Sequence, residues 1–89
     1  MVRLEFAPSL QRYVPCPPVQ AQATCLREAM SEAWKIAPAL RPYVLDEQGR
    51  VRRHVAVFIN GQMLHDRSDL ARPLAATDSV YVAQALSGG

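Results

Sequence analysis

The sequence is poor in the residues from which metal centres and disulfide scaffolds are built. Its 89 residues include two cysteines and two histidines. Cys16 and Cys25 are too few for an iron–sulfur cluster held by four thiolates, and a zinc site would have to recruit His54 and His65 from distant segments. We therefore expect two reduced thiols without a mechanistic role, no metal site and no bound cofactor.

Long hydrophobic segments are absent as well. The longest apolar run, Val55–Ile59, is far shorter than the roughly 20 residues that a membrane-spanning helix needs. Arg3 and Glu5 interrupt the first residues, so no hydrophobic region of a secretory signal forms there. These observations predict a cytoplasmic protein without membrane contact.

Charge is nearly balanced, because ten basic residues against eight acidic ones leave a formal net charge of +2. Phosphate-driven binding normally requires a concentrated basic face, so we expect no nucleic-acid partner. One basic cluster is present, formed by Arg50, Arg52, Arg53 and His54. We interpret it as a solvated loop before a strand, and its alternative role is a docking patch for an acidic partner or RNA.

Hydrophobic periodicity predicts five short strands, because these segments alternate apolar and polar residues or are rich in β-branched types. The predicted strands cover residues 2–6, 19–23, 54–59, 62–64 and 79–85. Asn60-Gly61 lies between the third and fourth strands and is a strong hairpin signal, since both central residues of a type I′ turn need positive φ. The fourth strand should therefore return antiparallel to the third.

One amphipathic helix is predicted between the second and third strands, with Thr24 as its N-cap and Pro38 as its stop. This gives about 14 residues. Met30 and Trp34 are interpreted as core residues. The apolar residues with helical spacing are Leu26, Ala29, Met30, Ala33, Trp34 and Ala37.

Two further connections are predicted. Residues 39–53 should be irregular, and residues 66–76 should form a loop or a single helical turn. Five of their apolar residues are expected to reach the core: Leu40, Tyr43, Val44, Leu70 and Leu74.

The order of elements predicts an α+β domain in which a mixed sheet of four to five strands packs on one main helix. This is the β-grasp (ubiquitin-like) pattern. Residues 1–85 would form the domain, and residues 86–89 a flexible C-terminal tail that ends in Gly-Gly.

The feature that carries chemistry is the ending Leu86-Ser87-Gly88-Gly89. Glycine lacks Cβ, so it lets backbone enter a narrow channel and leaves a terminal carboxylate unhindered. Leu86, Ser87 and Gly88 are assigned to recognition of the tail, and Gly89 to the reaction. No phosphate-binding loop, nucleophile–base pair or metal constellation is visible, so we assign no catalytic residue and expect a carrier rather than an enzyme. Another protein would activate the carboxylate with ATP.

Two segments, residues 53–61 and residues 78–89, resemble the ThiS/MoaD group of ubiquitin-like sulfur carriers. The resemblance implies that a ubiquitin-activating-type enzyme adenylates Gly89, that the carboxylate becomes a thiocarboxylate, and that a biosynthetic synthase accepts the sulfur. Residues 52–60 and the long connection before them look most similar to the cysteine-biosynthesis branch. Residues 83–85 depart from the aromatic and Pro-Pro pattern of molybdopterin-synthase small subunits. That departure favours cysteine, thiazole or specialised-metabolite pathways over molybdopterin.

A partner-docking surface is expected on the sheet face opposite the helix. Strand alternation places Phe58 and Tyr81 there, together with Ala56 and Ala83, as an exposed apolar patch. We expect this patch to contact the adenylating enzyme.

Other functions remain open at this stage. A protein modifier would share the adenylation step but transfer its carboxylate to lysine amines, and a non-covalent β-grasp interaction module would not use the tail. His65, Asp66 and Asp69 are interpreted as polar loop residues rather than an acid–base set. Ser79 is interpreted as a turn residue, although its neighbours faintly resemble an acyl-carrier attachment motif.

Overall fold

Five strands form one mixed sheet in the computed structural model, which describes residues 1–84. In chain order they are β1 (Val2–Phe6), β2 (Val19–Ala21), β3 (Val55–Ile59), β4 (Gln62–Met63) and β5 (Ser79–Gln84). Their order across the sheet is β2-β1-β5-β3-β4. β5 runs parallel to β1 and antiparallel to β3, and the β1–β2 and β3–β4 pairs are antiparallel. β5 is therefore the middle strand, bonded on both sides.

The strands bury one face by strict alternation. The inward side chains of β1, Val2, Leu4 and Phe6, are almost fully buried, while Arg3 is exposed and Glu5 only partly buried. β3 and β5 repeat this pattern, and their buried residues are Val55, Val57, Ile59, Val80 and Val82. The predicted alternation is thus confirmed, and one face of the sheet is left for other uses.

The main helix covers the buried face. Four short helical segments interrupt the strands: α1 (Pro8–Gln11), α2 (Leu26–Ile36), a 3₁₀ turn (Pro38–Leu40) and α3 (Arg41–Val44). α2 is the longest, packs on β1 and β2, and buries a stripe of four residues. These are Leu26, Ala29, Met30 and Ala33. Trp34 is partly buried with its ring centroid 6.0 Å from that of Phe6, so the core interpretation of Met30 and Trp34 is confirmed.

The predicted start of α2 is wrong by one residue. Cys25, not Thr24, is the N-cap, and its side chain makes no capping hydrogen bond. Thr24 instead donates from its backbone N–H and its hydroxyl to Glu28 Oε1, at 2.8 and 2.9 Å. The Glu28 carboxylate reaches back past the cap, as in the second half of a capping box. The helix runs from Leu26 to Ile36, so it has 11 residues rather than about 14.

The connection after α2 is more regular than predicted. Pro38 and Pro42 lie in the first positions of the 3₁₀ turn and α3, where their missing N–H groups are not needed. Leu40 and Val44 are buried as expected, but Tyr43 is 41% exposed. Its ring stacks on that of Tyr13 at a centroid distance of 4.7 Å. The anchoring role predicted for Tyr43 is therefore wrong, and Leu45 is buried in its place.

The hairpin and the second loop agree with the sequence. Asn60 and Gly61 have φ values of 52° and 82°, as a type I′ turn demands. Leu70 and Leu74 are both buried. Within residues 1–84, no helix is long and apolar enough to cross a bilayer. The predicted α+β architecture, a mixed sheet on one main helix, is confirmed.

Candidate functional site

The open face of the sheet holds the four residues predicted for docking. In the β3–β5 register, Ala56 lies opposite Ala83 and Phe58 lies opposite Tyr81. Residues directly opposite in antiparallel strands have Cβ atoms about 4.5–5.5 Å apart, so these two pairs form one contiguous patch. Tyr81 is 40% exposed, and the other three are partly buried. The structure brings the four residues together, while their docking role stays a prediction.

Met63 extends this patch and was missed by sequence reasoning. It is the register partner of Phe58 on β4 and is 47% exposed. The two-residue turn contained the signal, because a tight hairpin at Asn60-Gly61 forces residue 58 to pair with residue 63. The open-face patch is therefore defined as Ala56, Phe58, Met63, Tyr81 and Ala83.

A polar border limits the open-face patch on the β1 side. Glu5 is the parallel partner of Tyr81, and Arg3 is the partner of Ser79. The Arg3 guanidinium lies 3.3 Å from the Glu5 carboxylate in an exposed ion pair. Apolar residues at the centre with charges at the rim are the usual composition of a protein interface.

The end of β5 leads to the residues assigned to chemistry. Gln84 pairs with Val55 at the start of β3, and Ala7 donates its N–H to the Val82 carbonyl at 2.8 Å. The last described residue is therefore held within the sheet. Beside it is a cleft of about 270 Å³ whose lining includes Tyr13, Tyr43 and Gln84. Leu86, Ser87, Gly88 and Gly89 lie outside the described residues, so their roles stay predictions.

A network of polar side chains fixes the loop that feeds β5. Asn60 Nδ2 donates to Asp78 Oδ1 at 2.9 Å, and Ala75 N–H donates to Asp78 Oδ2 at 2.8 Å. These bonds, with that from Asn60 first, hold the pKa of Asp78 below its ordinary value. In return, Asn60 Oδ1 accepts the Ser79 N–H at 2.9 Å. Ser79 is the first residue of β5, and its N–H belongs to this network.

The remaining candidate groups have local roles. Asp66 accepts hydrogen bonds from the Ser68 hydroxyl and N–H, which lower the pKa of Asp66, so it organises its own loop. Cys16 is buried, and burial raises the pKa of its thiol, which keeps it protonated. Residues 1–84 contain no group of three His, Cys, Asp or Glu side chains placed to hold a metal ion.

Comparison with known proteins identifies the class of fold. No protein-family model and no curated protein matches this chain. Solved structures do match over nearly its whole length. A chain of the Amycolatopsis orientalis BexX/CysO complex has a TM-score of 0.81 at 16% identity, with 100% of both chains covered. CysO of Mycobacterium tuberculosis, described as an antigen, has a TM-score of 0.80 at 20% identity, covering 97% of this chain and 100% of that one.

The small archaeal modifier protein SAMP1 of Haloferax volcanii has a TM-score of 0.78 at 21% identity, covering 99% of this chain and 98% of that one. This protein is a member of the β-grasp, ubiquitin-like fold class, which these structures share. The structural neighbours therefore include CysO and SAMP1. The resemblance to the ubiquitin-like carriers is confirmed at the level of the fold.

Proposed function

We propose that this protein is a sulfur carrier whose Gly89 carboxylate is converted to a thiocarboxylate by a partner enzyme. The observation that carries the proposal is the path of β5. This strand pairs with β1 as far as Val82 and with β3 as far as Gln84, which lies opposite Val55, and the sequence continues from there to Gly88-Gly89. The likeness in fold to CysO supports the same role.

The proposed reaction has two steps, adenylation of the carboxylate and replacement of AMP by sulfur. In the first, an oxygen of the Gly89 carboxylate attacks the α-phosphorus of ATP, and pyrophosphate leaves to give an acyl adenylate. In the second, a hydrosulfide ion attacks the acyl carbon and AMP leaves, so that one carboxylate oxygen is replaced by sulfur. Glycine at this position keeps the acyl carbon open to attack. ATP is bound by the adenylating enzyme, and the carrier acts as its cosubstrate.

The open-face patch would dock two kinds of partner. The adenylating enzyme, of the ubiquitin-activating type, must hold the domain while the tail enters its active site. A sulfur-accepting synthase must do the same in the later step, and sequence resemblance favours a synthase that makes cysteine from an activated serine. Because the cycle consumes ATP and needs a reduced sulfur donor, we place it in the cytoplasm.

Mass spectrometry tests this proposal. Incubation with the cognate adenylating enzyme, ATP and sulfide should add the mass difference between sulfur and oxygen to the intact protein. A variant truncated after Ser87 should keep the same thermal unfolding curve but show no mass change. Gly89→Ala should react slowly, because the added methyl crowds the acyl carbon. Full pathway activity in the truncated variant would refute the carrier role and leave the non-covalent module.

A second candidate is a protein modifier that forms isopeptide bonds with lysines. The likeness to SAMP1, named as a modifier protein, favours it. Both candidates share the adenylate and differ in the acceptor, so the decisive observation is the product. A thiocarboxylate supports the carrier, whereas higher-mass adducts linked from Gly89 to lysine would support the modifier.

A further inference from the structure

A cleft before β3 concentrates positive charge. Its volume is about 330 Å³, and we call it the arginine pocket; its lining residues are Asp46, Arg50, Arg52, Arg53, His54 and Arg67. Four arginines and one aspartate are among these residues, which gives the lining a formal net charge of +3 on the count used for the whole chain. Arg67 joins the cluster from a different loop, which its position in the sequence did not indicate.

The rest of the molecule is slightly acidic. The whole chain has ten basic and eight acidic residues, and the arginine pocket holds four of the former and one of the latter. Six basic and seven acidic residues remain, a net charge of −1. The small total charge therefore hides a local excess, and the interpretation of residues 50–54 as an ordinary solvated loop is incomplete.

The walls of the arginine pocket are fixed by hydrogen bonds. Arg52 Nε donates to the Pro42 carbonyl at 2.6 Å, and Arg67 donates from Nη1 to the Val51 carbonyl at 3.3 Å. Arg50 is paired with Asp46 at 3.4 Å. The other two ion pairs found in residues 1–84 lie elsewhere. Arg52, Arg53 and Arg67 thus have no carboxylate partner in the described part of the chain.

The position of the arginine pocket links it to the tail. Arg52 and His54 line both this pocket and the cleft beside Gln84. Val55, the next residue after His54, pairs with Gln84 across the sheet. The arginine pocket therefore lies at the end of the sheet where Gln84, the last described residue, is found.

We propose that the arginine pocket binds an acidic surface of a protein partner, and that this partner is the adenylating enzyme that takes the tail. The second part rests on the proposed function. Guanidinium groups bind carboxylates in bidentate geometry, and several of them around one cleft suit clustered Asp or Glu side chains. A nucleic acid needs an extended basic track, whereas here the charge outside the pocket is net acidic.

Titration with an octaglutamate peptide tests the pocket directly, by fluorescence anisotropy or by amide chemical shifts, at about 0.05 M salt where screening is weak. We expect saturable binding with shifts centred on residues 50–54 and 67. Arg53→Glu changes the pocket charge from +3 to +1, and we expect roughly tenfold weaker binding. Arg27→Glu is the matched control. It makes the same change in net charge on the exposed side of α2, and should alter the affinity by less than about twofold.

Three results would overturn the proposal. Equal losses in Arg53→Glu and Arg27→Glu would show that only net charge matters. Tighter, Arg53-dependent binding of octauridylate than of octaglutamate would make the site a nucleic-acid site. Unchanged affinity of Arg53→Glu for the cognate adenylating enzyme would separate the pocket from the partner of the tail. Arg53→Gln, with matching unfolding curves, provides a milder variant if charge reversal disturbs the turn.

Binding of acidic groups by the arginine pocket and the proposed carrier function can each fail without the other. The variant truncated after Ser87 should bind octaglutamate like the full chain, although it gains no sulfur. If Arg53→Glu loses peptide binding and the full chain forms no thiocarboxylate, the arginine pocket is supported as a site for acidic groups and the carrier function is refuted. If the full chain forms a thiocarboxylate but binds no peptide, the carrier function is supported and the pocket proposal is refuted.

Discussion

The substitution Phe58→Glu tests whether the open face of the sheet serves docking while the other face serves folding. Phe58 lies on β3 in the open-face patch, and its chain neighbour Val57 is almost completely buried on the other face of the sheet. If the patch is a docking surface, the substitution at Phe58 should weaken binding while the domain stays folded. Val57→Glu should instead unfold the domain.

The cost to folding follows from partial burial. Fully burying a Phe side chain contributes about 1.5–3 kcal/mol, so the mostly buried Phe58 contributes about 1–2.5 kcal/mol. Loss of the cross-strand pair with Tyr81 adds about 0.2–1 kcal/mol. The total, about 1–3.5 kcal/mol, leaves a domain of this size folded, since its free energy of unfolding is roughly 4–13 kcal/mol. Val57→Glu buries a carboxylate among apolar side chains, which costs several kcal/mol and should abolish folding.

The cost to binding comes mainly from the new charge. Removing the ring forfeits the smaller remaining transfer free energy, about 0.5–1 kcal/mol, and desolvating a carboxylate in the interface adds about 1–3 kcal/mol. Together these raise Kd for the adenylating enzyme by roughly 10-fold to 1,000-fold. Isothermal titration calorimetry measures Kd, and urea unfolding measures stability. Wild-type affinity in a folded Phe58→Glu variant would refute the docking role, and an unfolded variant would refute the assignment of this face as open.

Two further predictions concern stability. Gly61→Ala should lower the free energy of unfolding by about 1–2 kcal/mol, because φ at Gly61 is +82°. An added Cβ would meet no atom within 4 Å, so the cost comes from the backbone conformation and not from a clash. No change in the urea midpoint would mean that the hairpin tolerates another turn type. Hydrogen bonds from Asn60 and the Ala75 N–H lower the pKa of Asp78 in the folded protein. The stability that the ionised Asp78 contributes is therefore present above its ordinary pKa of 3.8 and is lost as pH falls through the lower pKa of the folded state. Asp78→Asn should therefore lose less stability than the wild type between about pH 6 and about pH 3, and parallel pH profiles in urea unfolding would contradict this.

Periodicity located the strands because one face of each is buried. The bounds of β1 (Val2–Phe6) match the prediction, β3 begins one residue later than predicted, and β5 begins at the predicted residue, Ser79. The Asn60-Gly61 turn fixed the hairpin, since its positive φ angles leave few other conformations. Sheet order was not predicted, because which strands become neighbours depends on contacts between residues distant in sequence.

Predictions of capping and burial from neighbouring residues were wrong where a side chain had another partner available. Thr24 was expected to cap α2, yet Glu28 takes its hydroxyl and its N–H. Tyr43 was expected in the core, yet Tyr13, thirty residues earlier, offers a stacking partner at the surface. The grouping of Arg67 with residues 50–54 in the arginine pocket also depends on two loops meeting in space. The partners of Tyr43 and Arg67 lie too far along the chain to be chosen from a sequence window.

The position of β5 bears on how the proposed carrier would meet its partner. Each residue of β5 from Ser79 to Gln84 is paired with β1, with β3 or with both, and its inward residues Val80 and Val82 are almost fully buried. A strand held in this way does not peel from the sheet when its continuation is bound elsewhere, because all of those bonds and the core would have to be lost together. The open-face patch and the arginine pocket therefore keep fixed positions relative to Gln84. Under the proposed function, a partner that recognises either of them also holds the point from which the chain continues to the residues assigned to the reaction.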